Sequence, residues 1–230
     1  MFKYHCGMAA KKSEQTRERV QRAAFESLRQ NGFDGTTMRG IADAAGIAPG
    51  GIYYYFRSKD DIVSALYVHV SERYRDQGQR VLDGERSFAA RLRAVYLLGF
   101  DLVDDYHDFA GSFLGTAITP GGASNPFGGR AREAKTAAVS LFDDVVTGSD
   151  LRVSAELRAE LPELLWGAFM AGMLFWAYDR SPGQRRTREL VDRVVPLIAE
   201  LLAVSRLPFL KKQLREAIGV VQLITGADDA

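Results

Sequence analysis

Apolar residues recur along this chain at helical spacing, and no stretch alternates with the two-residue period of a strand. Val20, Ala24 and Leu28 share one helix face behind an N-cap candidate at Ser13, and the pattern stops at Gly32. Thr37 is placed to cap a short helix that turns Ile41, Ala42 and Ala45 inward and is closed by Gly46. A second short helix is expected over "APGGIYYYF" (48–56), then a long one from Asp60 towards Val81, broken by "LDGE". Residues 87–104 put Leu92, Val95, Tyr96, Gly99 and Val103 on one side. A shorter aromatic helix near 106–117 leads into "TPGGASNPFGGR", whose glycines and prolines read as a long loop. Helices follow near 130–147, in a long segment ending near Arg180, over 184–204 and over 209–224, the last with Leu210, Leu214, Ile218 and Val221 as its stripe. Pro162 is either the first residue of a new helix or a kink in a continuous one, and Pro196 kinks its segment. The pattern predicts an all-α fold of about ten helices.

The longest apolar run, "LLWGAFMAGMLFWAY" (164–178), is shorter than the roughly 18–20 residues of a bilayer span, so it reads as a buried helix rather than a membrane anchor. Its wheel has two faces. Leu164, Gly167, Ala168, Ala171, Phe175 and Tyr178 form a face dominated by small residues, suited to close helix approach. Trp166, Phe169, Met170, Met173 and Ala177 form a bulky face, either ordinary core or the wall of an adaptable apolar pocket. The aromatic helices around Phe100, Val103, Phe109 and Phe113 are the expected opposite wall, with the 119–129 loop as entrance. Few cations fall on these faces, which argues against a highly phosphorylated ligand. The stripe of 209–224 either packs on the rest or lies on a membrane; its few charges favour packing.

Composition changes little by itself, but charge is uneven. Residues 1–59 carry ten Lys/Arg against five Asp/Glu, whereas the remainder carries twenty against twenty-four. A polyanion partner is therefore expected for the first part only. A single cysteine, Cys6, leaves no intramolecular disulfide. The start "MFKYHCGMAAKK" has no apolar core of a secretory signal, and Met8 would serve equally well as first residue. The histidines His5, His69 and His107 are scattered without metal-ligand spacing, and "GGASNPFGG" lacks the Gly-Lys-Ser/Thr of a phosphate loop, so neither a metal nor a cofactor is expected. His107, between Asp105 and Asp108, reads as a surface histidine ahead of a ligand group.

Residues 36–59 form one unit: a short helix, a turn at Gly46, a second short helix, then Lys59. That is the helix-turn-helix plan, in which the second helix enters the major groove. On an α-helical wheel Ile52 and Phe56 face the core, Gly50, Gly51, Tyr54 and Tyr55 project away, and Tyr53 sits at the margin. Pro49 suits the first turn, and glycines without side chains permit close approach to a groove or phosphate. Tyrosine hydroxyls position phosphates.

"TTMRGIADAAGIAPGGIYYYFRSKDDIVSALY" resembles the N-terminal DNA-binding segment of the TetR (tetracycline repressor) family of bacterial transcriptional regulators. The match begins around Thr16 and fades after Tyr67. The resemblance implies that Thr37 and Arg39 contact phosphate or a base edge. It also implies that Pro49, Gly50 and Gly51 face the groove, that Tyr53 and Tyr55 bind phosphate, and that Lys59 holds the DNA backbone. Gly40, at a position that is often acidic in the family, and the bare Gly50-Gly51 pair depart from the pattern, leaving base reading to Arg39, Tyr54 and DNA shape. By fold analogy the segments 160–180 and 184–204 build a four-helix dimer interface, with Leu164, Gly167, Ala168, Ala171 and Phe175 in it. The expected organisation is a disordered arm (1–12), a DNA-binding domain (13–59) and a helical ligand-binding and dimerisation domain (60–230). The expected function is a cytoplasmic homodimeric repressor, not an enzyme, released from operator DNA by a small apolar or amphipathic effector. The alternative is a helical-bundle enzyme or small-molecule carrier with a vestigial DNA module.

Overall fold

In the computed structural model, which describes residues 4–108, 110 and 132–205, every regular element among the described residues is an α-helix or a short 3-10 turn. The all-α expectation holds. No helix among them is long and apolar enough to cross a membrane. Two compact units are formed among the described residues: Tyr4–Val70 with Asp104–Asp108, Ala110 and Arg132, and Ser71–Val103 with Glu133–Ser205. The division falls inside a helix near Val70, not at the residue 59 boundary expected from sequence.

In the first unit, α1 (Tyr4–Gly35) starts ahead of Ser13, so the expected cap and the expected disordered arm give way to helix from Tyr4. Gly32 breaks α1 with φ 66°, a left-handed conformation that side chains resist. Thr37 caps α2 (Met38–Ala44), its Oγ1 accepting the Gly40 N–H at 3.0 Å. Gly46 turns the chain at φ 65° into a second short helix, Pro49–Tyr54, which is a 3-10 helix rather than the α-helix the sequence suggested. The next helix, α3 (Lys59–Leu82), opens with Ser58 Oγ accepting the Asp61 N–H while Asp61 accepts the Arg57 N–H, and Asp60 and Asp61 suit the positive helix start. Val20, Ala24, Leu28, Ile41, Ala42, Ile52, Ile62 and their neighbours close one core under the two short helices.

The second unit holds the rest of α3, α4 (Phe88–Val103), α5 (Arg132–Thr147), α6 (Ala155–Tyr178) and α7 (Arg185–Val204). Pro162 lies within a continuous α6 that Ser154 caps, and Pro196 lies within α7. The centre of the unit is aromatic. Phe169 of α6 stacks on Tyr74 at 5.6 Å and meets Tyr96, Phe100 and Phe142 at tilted angles. Gly99 has no room for a β-carbon against the Phe169 ring, which explains a glycine on the inner face of α4. Tyr74 and Tyr96 donate to the carbonyls of Val95 and Leu165, and burial pushes both phenols up, so they stay neutral donors. Between α4 and α7, Arg93–Asp192 and Arg188–Asp101 pair at 2.7 Å each. Such half-exposed pairs set register more than stability.

Arg91 is the least expected member of this core. Its buried guanidinium donates to the carbonyls of Leu82, Glu85, Asp144 and Val145, at the ends of α3 and α5. Two helix C-termini, each carrying partial negative charge, thus share one cation in place of a carboxylate. His107, read from sequence as a surface residue, is buried. Val103, expected inward, is half-buried, and the 209–224 stripe lies outside the described residues.

Candidate nucleic-acid interface

The core under the short helices decides what they present. Ile52 is fully buried and Phe56 nearly so, as their spacing implied. Thr37, Arg39, Gly40, Pro49 and Gly50 are exposed around them. Tyr53 and Tyr54 project into solvent with 56% and 77% of their surface free. Tyr55 behaves differently from the α-helical wheel: it packs against the core cluster and lies under the Arg17 guanidinium, 5.9 Å from its centroid. The reason is pitch. In a 3-10 helix residues three apart eclipse, so Tyr55 follows Ile52 inward, its N–H bonded to the Ile52 carbonyl at 2.9 Å, and Tyr53 swings out.

The two departures from the motif have local accounts. A β-carbon at Gly40 would come within 3.0 Å of the Thr37 hydroxyl that caps the helix, so glycine relieves the cap. A β-carbon at Gly50 would meet nothing within 4 Å, and one at Gly51 only the tip of Ile47 at 3.8 Å. Packing inside the protein therefore does not require a glycine at 50, and open space in front of it remains.

Lys59 is not presented as the sequence suggested. Its ammonium donates to the Phe33 carbonyl at 2.7 Å and lies over the Phe33 ring. Beside the short helices, Arg39 and Arg57 are exposed, the latter with 91% of its side chain free and only a 3.7 Å contact to Asp61. Arg57 and the α1 residues Arg17 and Arg19 escaped the sequence reading. Arg57 had a signal, a cation directly after the buried Phe56. Arg19, which donates to the Ala45 carbonyl at 2.8 Å, had none.

The residues expected around an effector are partly brought together. Phe100 and Phe169 meet at 5.5 Å, and Trp166 is buried with Lys135 over its ring. Val103, Met170 and Met173 are half-buried. Phe169 sits in a packed aromatic cluster with Tyr74, Tyr96 and Phe142, the bland alternative left open by sequence. Phe109, Phe113 and the 119–129 loop lie outside the described residues. A concavity of about 440 Å³ lies elsewhere, where α3 and α5 end, among Gln79, Asp83, Arg86, Arg91 and Asp144; its polar lining does not suit an apolar molecule.

Of the expected contact face of α6, Ala168, Ala171 and Phe175 are exposed and Leu164 and Gly167 half-buried. Tyr178 of the same small-residue face is exposed too, as are Leu174 of α6 and Leu197, Leu201 and Val204 of α7, the segment that fold analogy assigns to the interface without naming its residues.

Residues 21–66 match the model of bacterial regulatory proteins of the tetR family, and residues 91–220 match the tetracyclin repressor-like C-terminal domain. Curated relatives include the HTH-type transcriptional repressor KstR2 of Mycolicibacterium smegmatis, 28% identical over 91 residues, or 40% of this chain and 44% of that protein. The HTH-type transcriptional regulator UidR of Escherichia coli is 34% identical over 61 residues, 26% of this chain and 31% of that protein. The chain thus matches less than half the length of these relatives. Among solved structures, FadR from Bacillus subtilis in complex with stearoyl-CoA superposes with TM-score 0.58 at 20% identity, covering 80% of this chain and 96% of that one. FadR from Thermus thermophilus in complex with lauroyl-CoA gives 0.55 at 24% identity, covering 78% and 92%. These likenesses establish the fold. With its second half and its N-terminal segment both matched, the chain belongs to the TetR family of bacterial regulatory proteins.

Proposed function

We propose that this chain is a ligand-responsive repressor that binds operator DNA as a homodimer in the cytoplasm. The observation that carries the reading is the presentation of Thr37, Arg39, Gly50, Tyr53 and Tyr54 on the solvent side of a closed core, with open space before Gly50. Hydroxyls and a guanidinium are the donors that position phosphates and read guanine edges, and a bare helix start admits close approach. The matched relatives carrying the same segment are transcriptional repressors and regulators.

Dimerisation rests on the exposed apolar side chains of α6 and α7, since a lone helix-turn-helix binds weakly and pairs engage half-sites one helical turn apart. The effector is proposed to be amphipathic, with a long apolar chain. Support comes from the aromatic and methionine side chains of α4 and α6, and from two FadR neighbours that hold stearoyl-CoA and lauroyl-CoA. Bound effector favours a state with the recognition segments misplaced; a hundredfold preference for that state corresponds to about 2.7 kcal/mol. Fluorescence anisotropy with duplexes from the chain's own upstream region tests the reading. Specific binding that a long-chain acyl compound releases, as the free acid or as its CoA thioester, and that a sugar leaves in place, is expected; the few cations on the expected pocket faces favour the free acid. Binding no tighter than to random duplex sinks it.

A further inference from the structure

Two cations of the first unit donate to main-chain carbonyls 26 residues away. Lys59 Nζ donates to the Phe33 carbonyl at 2.7 Å and sits 4.4 Å from the Phe33 ring centroid. Arg19 Nε donates to the Ala45 carbonyl at 2.8 Å. Both acceptors stand where a helix leaves carbonyls without an intrahelical donor: Phe33 follows the break at Gly32, and Ala45 is the C-cap of α2. A cation at such a site gains a charge-assisted hydrogen bond and the helix dipole together.

These anchors flank the 3-10 helix on both sides along the chain. Arg19 ties the turn ahead of Pro49 to α1, and Lys59 ties the first residue of α3, five beyond Tyr54, to the end of α1. The 3-10 helix itself is six residues long and fully buries only Ile52. Just beyond it Tyr55 packs on the core and Phe56 is buried, while Pro49, Gly50, Tyr53 and Tyr54 are exposed, so the core holds the segment along one side. The direction in which Tyr53 and Tyr54 point is set by that side together with the flanks.

We propose that Lys59 and Arg19 are positioning residues, which orient the Pro49–Tyr54 segment through α1, and that the exposed Arg39 and Arg57 carry the phosphate charge instead. The proposal rests on the DNA-binding reading above. Salt dependence separates the two roles, because each lost phosphate contact lowers the slope of log affinity against log salt by about 0.9. Affinity for the chain's own upstream duplex is measured between about 50 and 200 mM salt for wild type, Lys59→Met, Arg19→Met, Lys59→Arg and Arg39→Met. Lys59→Met and Arg19→Met are expected to weaken specific binding about tenfold at every salt concentration with the slope unchanged, Lys59→Arg to recover part of the loss, and Arg39→Met to lower the slope by about 0.9. A slope that drops in Lys59→Met as it does in Arg39→Met overturns the proposal, and so does unchanged affinity. Amide exchange of the DNA-free proteins gives a readout that does not need an operator. Faster exchange confined to the segment after Pro49, with the global unfolding midpoint little changed, supports positioning; wild-type protection there in both Met variants overturns it. If wild type finds no specific duplex, the functional reading falls while the exchange result still decides this one.

Discussion

One oxygen of the Asp179 carboxylate accepts both the backbone N–H and the hydroxyl of Thr187, each at 2.8 Å. The other accepts the N–H and hydroxyl of Ser181 at 2.9 and 2.7 Å. Asp179 is the C-cap of α6 and Thr187 lies in the first turn of α7, so one buried side chain joins the two helices that carry the exposed apolar face.

That junction predicts an acid-sensitive term. Burial raises the Asp179 pKa, but the four hydrogen bonds outweigh it and bring the carboxyl down to about 2 from an ordinary 3.8. Because the folded value lies below the unfolded one, the stabilisation is complete above about pH 5. It fades as pH falls through 3.8 towards 2. The shift corresponds to about 2 kcal/mol. Asp179→Asn, which turns an acceptor into a donor facing Thr187, is expected to lose about that much in urea unfolding at pH 7. The difference from wild type should shrink as the titration moves to pH 3; a constant difference contradicts the assignment.

Arg91 predicts a larger effect. Its removal leaves the carbonyls of Leu82, Glu85, Asp144 and Val145 to find other donors in a buried site, at about 1–3 kcal/mol for each that fails. Arg91→Met should therefore destabilise by more than about 3 kcal/mol. Arg91→Lys should restore part, since an ammonium has three donors against five. Gly148→Ala should act in the same direction, because its new β-carbon would meet the Arg91 guanidinium. Urea midpoints of the three variants check the order.

Gly50→Leu separates folding from recognition. The new side chain points into open space in the free protein, so the unfolding midpoint should move little. If the 3-10 helix faces a groove, the same leucine stands between protein and DNA, and gel-shift affinity should fall by at least about a hundredfold, the cost of losing several base and phosphate contacts. Wild-type affinity in a folded Gly50→Leu would move the recognition surface elsewhere. Tyr53→Phe should cost about 1 kcal/mol of binding, one hydrogen bond, and more than Tyr55→Phe, whose ring faces inward.

These residues also mark what the sequence made legible. Thr37, Ile41, Ala42, Gly46 and Ile52 act on neighbours a few positions away, so spacing alone places them. Tyr53 and Tyr55 exchanged roles because the wheel assumed 3.6 residues per turn where the backbone takes three. The family resemblance alone makes Lys59 a ligand of the DNA backbone, and its tie to Phe33, 26 residues away, leaves no local mark. Arg91 was invisible for the same reason: its acceptors are main-chain atoms of two helix ends, the farther more than fifty residues away, and backbone carbonyls leave no mark in composition. Pro162 could not be assigned from sequence, since a proline is acceptable at a helix start and tolerable inside one whose neighbours hold it.

The exposed side chains of α6 and α7 carry the last prediction. Leu201 has 67% of its surface free, and Leu174, Phe175, Tyr178 and Leu197 are each at least 43% free. In a monomer, a charge at such positions is nearly neutral, within about 0.5 kcal/mol. In a dimer it is buried against the partner without a counter-charge and costs several times more. Leu201→Glu and Ala171→Arg should therefore leave the helical signal intact while sedimentation moves from dimer to monomer. Wild-type thermal midpoints should rise with protein concentration, as mass action requires of a folded dimer, and those of the two variants should not. Operator affinity should fall in step, since each monomer keeps its contacts to a half-site but loses the coupling that holds two half-sites about 34 Å apart. Dimers of unchanged stability in both variants would place the interface on another face.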